Sequence, residues 1–404
     1  MSISPSRRWE LVDCIARRTV SAGACRPTLG GVLGELTVKP LTGIPTALAV
    51  LYAFWSVFGS FAGALVTDGF MVRIFDGYWL PWMQAVWPDP GSVHYFLFVG
   101  DPAAETCFEA FGMLTSGLFV SFGVVLPAIL VFYLMMTLLE DSGYLPRLAV
   151  LMDTLLHKIG LHGYAIVPAI LGLGCNVPAV TATRTLETKK QRFIMMTLLA
   201  LFIPCGAQLG IMLQAVPDTV GWVLLYLLIG FVVFGFALSR VIPGSNPEIL
   251  IDVPPYRWPQ RTNVAKKLWN KTRGFLTNAV PFVMLGILIV NVLYLTGFIG
   301  WLADLAAPLF VTWFGVPKET VGPLLAAFLR KDLAVAQLST IPMTPYQMIT
   351  AVVLISIYFP CVATFAMMVR EGPRQLLAAM GVLAVVVIIY GGLIHAVGIL
   401  LGVA

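Results

Sequence analysis

The sequence predicts an all-α polytopic membrane protein. About seven transmembrane helices, plus two re-entrant or broken helices, are arranged as an inverted repeat. Composition is the first observation behind this reading: the 404 residues are 59% hydrophobic and 11% charged, with a mean hydropathy of +0.89. A soluble domain carries roughly 25% charged residues, so this chain has too few to cover a water-facing surface. The second is a series of apolar runs at 41–66, 111–139, 193–214, 219–239, 277–297, 347–369 and 376–402, each about long enough to cross a ~30 Å hydrocarbon core. The third is internal similarity at an offset of about 155 residues, with FIPC at 202–205 answered by YFPC at 358–361.

Loop charge orders the elements, because basic loops stay cytoplasmic. Residues 1–40 form a cytoplasmic linker region with Arg7, Arg8, Arg17, Arg18, Arg26 and Lys39; no apolar core precedes residue 41, so no cleavable signal peptide is expected. Residues 41–110 comprise a first span and an external loop, where Asp68, Asp76, Asp89, Asp101, Glu105 and Glu109 face a single basic residue, Arg73. Residues 111–239 form a first gate repeat. Within it, 140–160 and 183–192 both carry basic residues and are expected inside, so the GCNVP segment between them enters and returns on one side, which is tolerated only where protein or a polar cavity surrounds it. Residues 240–276 are a basic cytoplasmic linker, and 263–278 reads as an amphipathic surface helix. Residues 277–404 form the second gate repeat and terminal span. Gly143-Tyr144-Leu145 matches Gly297-Phe298-Ile299, and Pro168 matches Pro323. The first copy enters from outside and the second from inside, the architecture of alternating-access transporters with a midplane site at broken helices.

Cys175, Cys205 and Cys361 each stand beside a proline or within a Gly/Pro-rich break in apolar sequence. A lone cysteine is ordinarily a packed one. Three at three breaks, beside freed carbonyls and the Asn176 amide, point to coordination of a borderline transition ion such as iron(II); magnesium or calcium would call for all-oxygen ligands. Arg330, Lys331 and Asp332 fall opposite Cys175-Asn176 in the repeat, and charges at that depth are costly and functional by default; the competing reading puts the triplet at the membrane surface. The metal set is therefore Cys175, Cys205, Cys361, Asn176 and Asp332, with Glu140, Asp141 and Lys331 as pathway residues. Glu140 and Asp141 end a span, where negative charge opposes the helix dipole, so they read equally as a solvated cap or an exit vestibule. His157 and His162 lack metal-site spacing, and six cysteines, three of them in apolar segments, do not form a disulfide framework.

With these residues in place, LEDSGYLPRLAVLMD, IVPAILGLGCNVPAVTATRTLE, LRKD and YFPCVATFAMMVREG resemble the membrane domain of the ferrous iron transport protein B (FeoB) family, from about residue 40 to 400. The family's paired gate motifs fall on Gly174–Arg184 through Cys205 and on Phe359–Glu371. The resemblance implies iron(II) uptake across a bacterial inner membrane by a multi-pass protein with a cytoplasmic N-terminus, with Cys175, Cys205 and Cys361 as path ligands. Family members begin with a GTP-binding domain, yet no GxxxxGK[ST] pattern occurs in these residues. The expectation is a separate GTP-binding protein subunit or transport without GTP. Gln208 stands where the family usually has arginine, and Asp332 where many relatives have glutamate. Iron(II) is then transported substrate rather than bound cofactor, and no cofactor is expected. The other expected partners are the lipid bilayer and further copies of the chain; no nucleic acid is expected.

Three alternatives remain at this level. A permease for another divalent metal or for a nucleoside-like organic solute shares the gate motifs, and the solute reading makes the cysteines dispensable. An intramembrane thiol enzyme needs a base beside a cysteine; His395 is the one intramembrane histidine and adjoins none, so no enzyme is expected. A non-transporting scaffold would recruit a partner through its cytoplasmic face and carry no flux.

Overall fold

The computed structural model describes residues 29–66, 70–87, 89–107, 110, 112–244, 254–328 and 330–402. Cys14, Cys25 and the arginines expected to hold the N-terminus inside lie outside these residues, as do Asp68, Glu109, Glu248 and Asp252. Every regular element among the described residues is helical. Two helices, α1 (Leu29–Val38) and α2 (Pro40–Val66), precede a small layer of short helices at Phe70–Ile74, Leu80–Val86 and Val93–Phe98. Cys107 is wholly buried there, its backbone N–H donating to Asp76 at 2.7 Å and its thiol to Phe75 O at 3.3 Å.

The first gate copy comprises α3 (Leu126–Asp141), α4 (Tyr144–Lys158), α5 (Ile166–Gly174), α6 (Asn176–Ala182), α7 (Lys189–Phe202), α8 (Gly206–Ala215) and α9 (Val220–Val241). The second repeats the order as α10 (Arg261–Leu295), α11 (Phe298–Pro308), α12 (Val321–Ala326), α13 (Lys331–Leu338), α14 (Pro345–Ile357), α15 (Val362–Glu371) and α16 (Pro373–Leu401). Each copy turns after its first helix at a glycine in the left-handed region, Gly143 (φ 84°) and Gly297 (φ 69°), a conformation glycine adopts without the Cβ penalty. The packing repeats as well. Helix α6 lies against α15 and α13 against α8; α7 lies against α16 and α14 against α9; α7 and α14 meet each other. These exchanged partners are what a pseudo-two-fold relation produces. With α10 counted as a crossing, each copy crosses three times, and an odd number sets the second copy in the opposite sense.

Six helical stretches are long and apolar enough to cross a membrane: Pro40–Phe61, Ser116–Asp141, Lys189–Ala215, Val220–Val241, Pro345–Glu371 and Pro373–Leu401. The pair Tyr144–Lys158 and Gly163–Gly174, bent by 103°, makes up to seven. The two broken spans are the most deeply buried, ahead of Ser116–Asp141 at 50%. In their most apolar windows 67% of Lys189–Ala215 and 56% of Pro345–Glu371 is buried, against 17% of Pro40–Phe61 and 28% of Val220–Val241. Breaks are thus shielded by protein, where irregular backbone is tolerated.

One expectation changes. The surface helix at 263–278 and the span at 277–297 are a single 35-residue helix, α10, about 52 Å long at 1.5 Å per residue. Its apolar stretch is the short Val283–Leu293, and its basic N-terminal half continues the span rather than folding onto the surface. Pro281 lies inside it without ending it.

Candidate functional site

Four breaks converge between the copies. At the first, α5 ends after Gly172 and Gly174, Cys175 is extended (φ −155°, ψ 129°), and α6 begins at Asn176 and packs beside α5. At the second, Pro204 disfavours helical backbone in the residue before it; Ile203 is extended and Cys205 caps α8. The third uses Pro360 in the same way, ending α14 and leaving Cys361 to cap α15. The fourth has neither proline nor cysteine: Arg330 (φ −149°, ψ 109°) takes the extended backbone of Cys175, and Lys331 opens α13 as Asn176 opens α6. All three sequence-predicted cysteines therefore sit at breaks, each a free thiol of intermediate exposure.

The thiols of Cys175, Cys205 and Cys361 lie within electrostatic reach of one another, although two come from the first copy and one from the second. Lys331 and Asp332 are within the same reach of Cys205. Among the described residues no three His, Cys, Asp or Glu side chains are gathered closely enough to enclose an ion, so the thiols converge without forming a closed cage. Asn176 is 8% exposed; its Nδ2 donates to Ile203 O at 3.2 Å, and its Oδ1 has no partner. It is a buried, unpartnered acceptor next in sequence to Cys175. The Asp332 carboxylate is already engaged by the Arg330 guanidinium two residues earlier, which donates through Nε at 3.2 Å and through Nη2. To ligate an ion, Asp332 must share or leave that pair.

Sequence reasoning missed how Lys331 is satisfied. Its Nζ, in a residue 7% exposed, donates to Ser356 O at 2.6 Å and to Ala200 O at 3.2 Å. Both carbonyls lie in the last turns of broken helices, α14 and α7, where backbone acceptors lack intrahelical partners and the dipole is negative. Gln208, 1% exposed, donates Nε2 to Ser356 Oγ at 2.8 Å, and Ser356 Oγ donates to Val352 O at 2.8 Å. Cys361 Sγ lies 3.1 Å from Thr364 Oγ1. Val362 N donates to Phe328 O at 2.9 Å, tying the third break to the fourth. A search for polar residues at matched repeat positions would have flagged Gln208 against Thr364, but not their partners.

Glu140 and Asp141 stand apart from this cluster in bonding. Lys267 Nζ contacts Glu140 at 3.0 Å and Asp141 at 2.6 Å, and Lys271 approaches Glu140 at 3.7 Å. They clamp the end of α3 to the basic half of α10, which gives these acids the structural reason that helix-dipole considerations alone denied them. Between the copies, Arg184 Nε contacts both Glu371 oxygens at 2.9 and 3.0 Å, joining the turn after α6 to the end of α15. The rings of His157 and His162 lie 5.6 Å apart, tilted by 42°, and His162 lies 4.0 Å from Asp153, away from the breaks in sequence.

Paired copies of broken helices around a buried polar crossing define a gate-type polytopic membrane protein. Family models match the same regions: the gate family described as nucleoside recognition at residues 122–218 and 276–374, and the ferrous iron transport protein B C terminus at 220–271. Over this membrane part the chain carries matches to both family models and is similar to curated FeoB proteins. It is 28% identical over 296 residues to the Fe(2+) transporter FeoB of Staphylococcus aureus (strain COL), covering 64% of this chain and 44% of that protein. To FeoB of Methanocaldococcus jannaschii it is 27% identical over 333 residues, covering 70% and 49%. A Porphyromonas gingivalis protein named as a fusion of Fe(2+) transport protein A and FeoB is 36% identical over 176 residues, covering 41% and 21%. The chain spans less than half the length of these curated relatives.

Proposed function

We propose that this chain is the membrane permease of an iron(II) uptake system in a bacterial inner membrane, with its N-terminus cytoplasmic. The observation that carries the reading is the convergence of three thiols from two repeats at helix breaks, in a chain whose relatives are named for Fe(2+) transport. Soft thiolates with one amide oxygen suit iron(II) over hard cations. Ligation displaces the thiol protons. An open arrangement, with Asn176 Oδ1 free and Asp332 shared with Arg330, suits an ion that must leave as well as enter. The ion passes Cys175, Cys205 and Cys361, with Asn176 and Asp332 supplying oxygen. A separate GTP-binding subunit supplies the energy, and the P. gingivalis fusion supports a further partner protein.

The gate family's description favours one other reading, a permease for a nucleoside-like solute. Uptake of iron(II), manganese(II) and zinc(II) into proteoliposomes, for the native chain and for Cys175→Ser, Cys205→Ser and Cys361→Ser, separates the two. Iron(II) flux lost in the serine variants supports the thiol-lined path. Nucleoside flux indifferent to all three serines overturns it.

A further inference from the structure

Residues 200 and 356 are equivalent positions of the two copies, each two residues before the matched FIPC and YFPC segments. Lys331 Nζ bonds to both carbonyls, Ala200 O at 3.2 Å and Ser356 O at 2.6 Å. One ammonium thus lies where the two copies are related, at the negative ends of two half-helices, a position that elsewhere in membrane proteins holds transported cations. Among the described residues no carboxylate pairs with it; the neighbouring Asp332 is taken by Arg330. The position equivalent to Lys331 in the first copy is Asn176, whose amide reaches only Ile203 O of its own copy.

We propose that Lys331 is a tethered cation: its ammonium fills the midplane cation position when no substrate is there, seals the crossing against monovalent cations, and is displaced by the divalent ion in transit. The displacement rests on the permease reading above; the seal does not. The sealing argument is one of charge and fit. An ammonium held by two helix ends repels a second cation, and only an ion offering more than a single charge to the same carbonyls and the nearby thiols competes with it. Its tether lets the group move aside without leaving the protein. Gln208, bonded to the Ser356 hydroxyl, fixes the carbonyl end of α14 that receives it.

The seal is tested without iron. Proteoliposomes of the native chain, Lys331→Met and Lys331→Arg are given a potassium gradient, and potassium and proton leak are followed. The native and Lys331→Arg vesicles are expected to stay tight, and Lys331→Met vesicles to leak at least about tenfold faster. Tight vesicles of folded, monodisperse Lys331→Met overturn the proposal. Should that variant not fold, labelling of the native protein with a small amine reagent decides. Lys331 is expected to react far more slowly than Lys318, and equal rates overturn the seal. Adding iron(II) is expected to speed labelling of Lys331. Unchanged labelling in a preparation that takes up iron(II) overturns the displacement; absence of iron uptake with an intact seal instead faults the iron reading.

Discussion

The two hairpin breaks are alike in backbone and unlike in chemistry. Cys175 and Arg330 share an extended conformation, and each is followed by a helix whose first side chain turns into the centre. In the first copy that side chain is a neutral amide with a spare oxygen; in the second it is an ammonium that reaches both copies. A symmetric scaffold thus carries an asymmetric site, with thiol and amide on one side and charge on the other. The fold supplies places where backbone is released, and the residues at those places decide whether they attract or exclude a cation.

Exchanging the two is the strongest way to break the comparison. Lys331→Asn makes the second break resemble the first, and is expected to abolish the seal while leaving the thiols in place; the vesicle leak assay above checks it. Cys175→Ser tests the attracting side and is expected to cut iron(II) flux at least about tenfold, as disturbing a metal site ordinarily does, measured by uptake into vesicles. Asn176→Ala leaves Ile203 O without its donor inside the protein, and is expected to cost about 1–3 kcal/mol, read as a lower unfolding temperature in detergent.

Smaller effects sharpen it. Gly297→Ala meets no atom within 4 Å and pays backbone strain alone, whereas the equivalent Cβ at Gly143 lies 3.4 Å from Arg147 Nη1 and 3.5 Å from Pro255 O. Both substitutions are expected to cost about 1–2 kcal/mol for left-handed backbone, with Gly143→Ala the larger, since Arg147 also donates to Gly143 O at 2.7 Å and stacks on Tyr256. Paired melting curves test the order. Arg184→Ala removes the contact to Glu371, but Arg184 is 57% exposed, so screening limits the loss to about 1 kcal/mol or less. Outside the gates, burial beside Asp76 pushes the Cys107 thiol up to about 12, and Cys107 is expected to resist alkylation at neutral pH in the folded protein and to react once it is unfolded, checked by mass spectrometry.

Much of the scaffold was legible because its signals are strong one at a time. Pro204 and Pro360 break helices wherever they stand, and runs such as 376–402 are too apolar for water. The repeat was legible from FIPC and YFPC, and with it the fourth break at Arg330, which no local residue announces. Less legible was α10: a basic amphipathic segment and an apolar one look like two elements, yet nothing between Thr277 and Pro281 stops the helix. The pairing of Glu140 and Asp141 with Lys267 joins residues more than a hundred positions apart, and loop charge alone cannot assign such partners.

By itself, then, the sequence determined the membrane class, the positions of the breaks, the two-copy plan and the three thiols, because hydropathy, proline and repeat spacing act locally or by simple count. Only the tertiary structure decided which carbonyls Lys331 takes, that Asp332 is held by Arg330, and that Gln208 reaches Ser356 across the copies. In a chain whose faces are nearly all apolar, hydrophobic pattern does not say which face meets which. Buried polar groups find partners according to where the ends of other helices fall, and those ends come together only when the two copies pack.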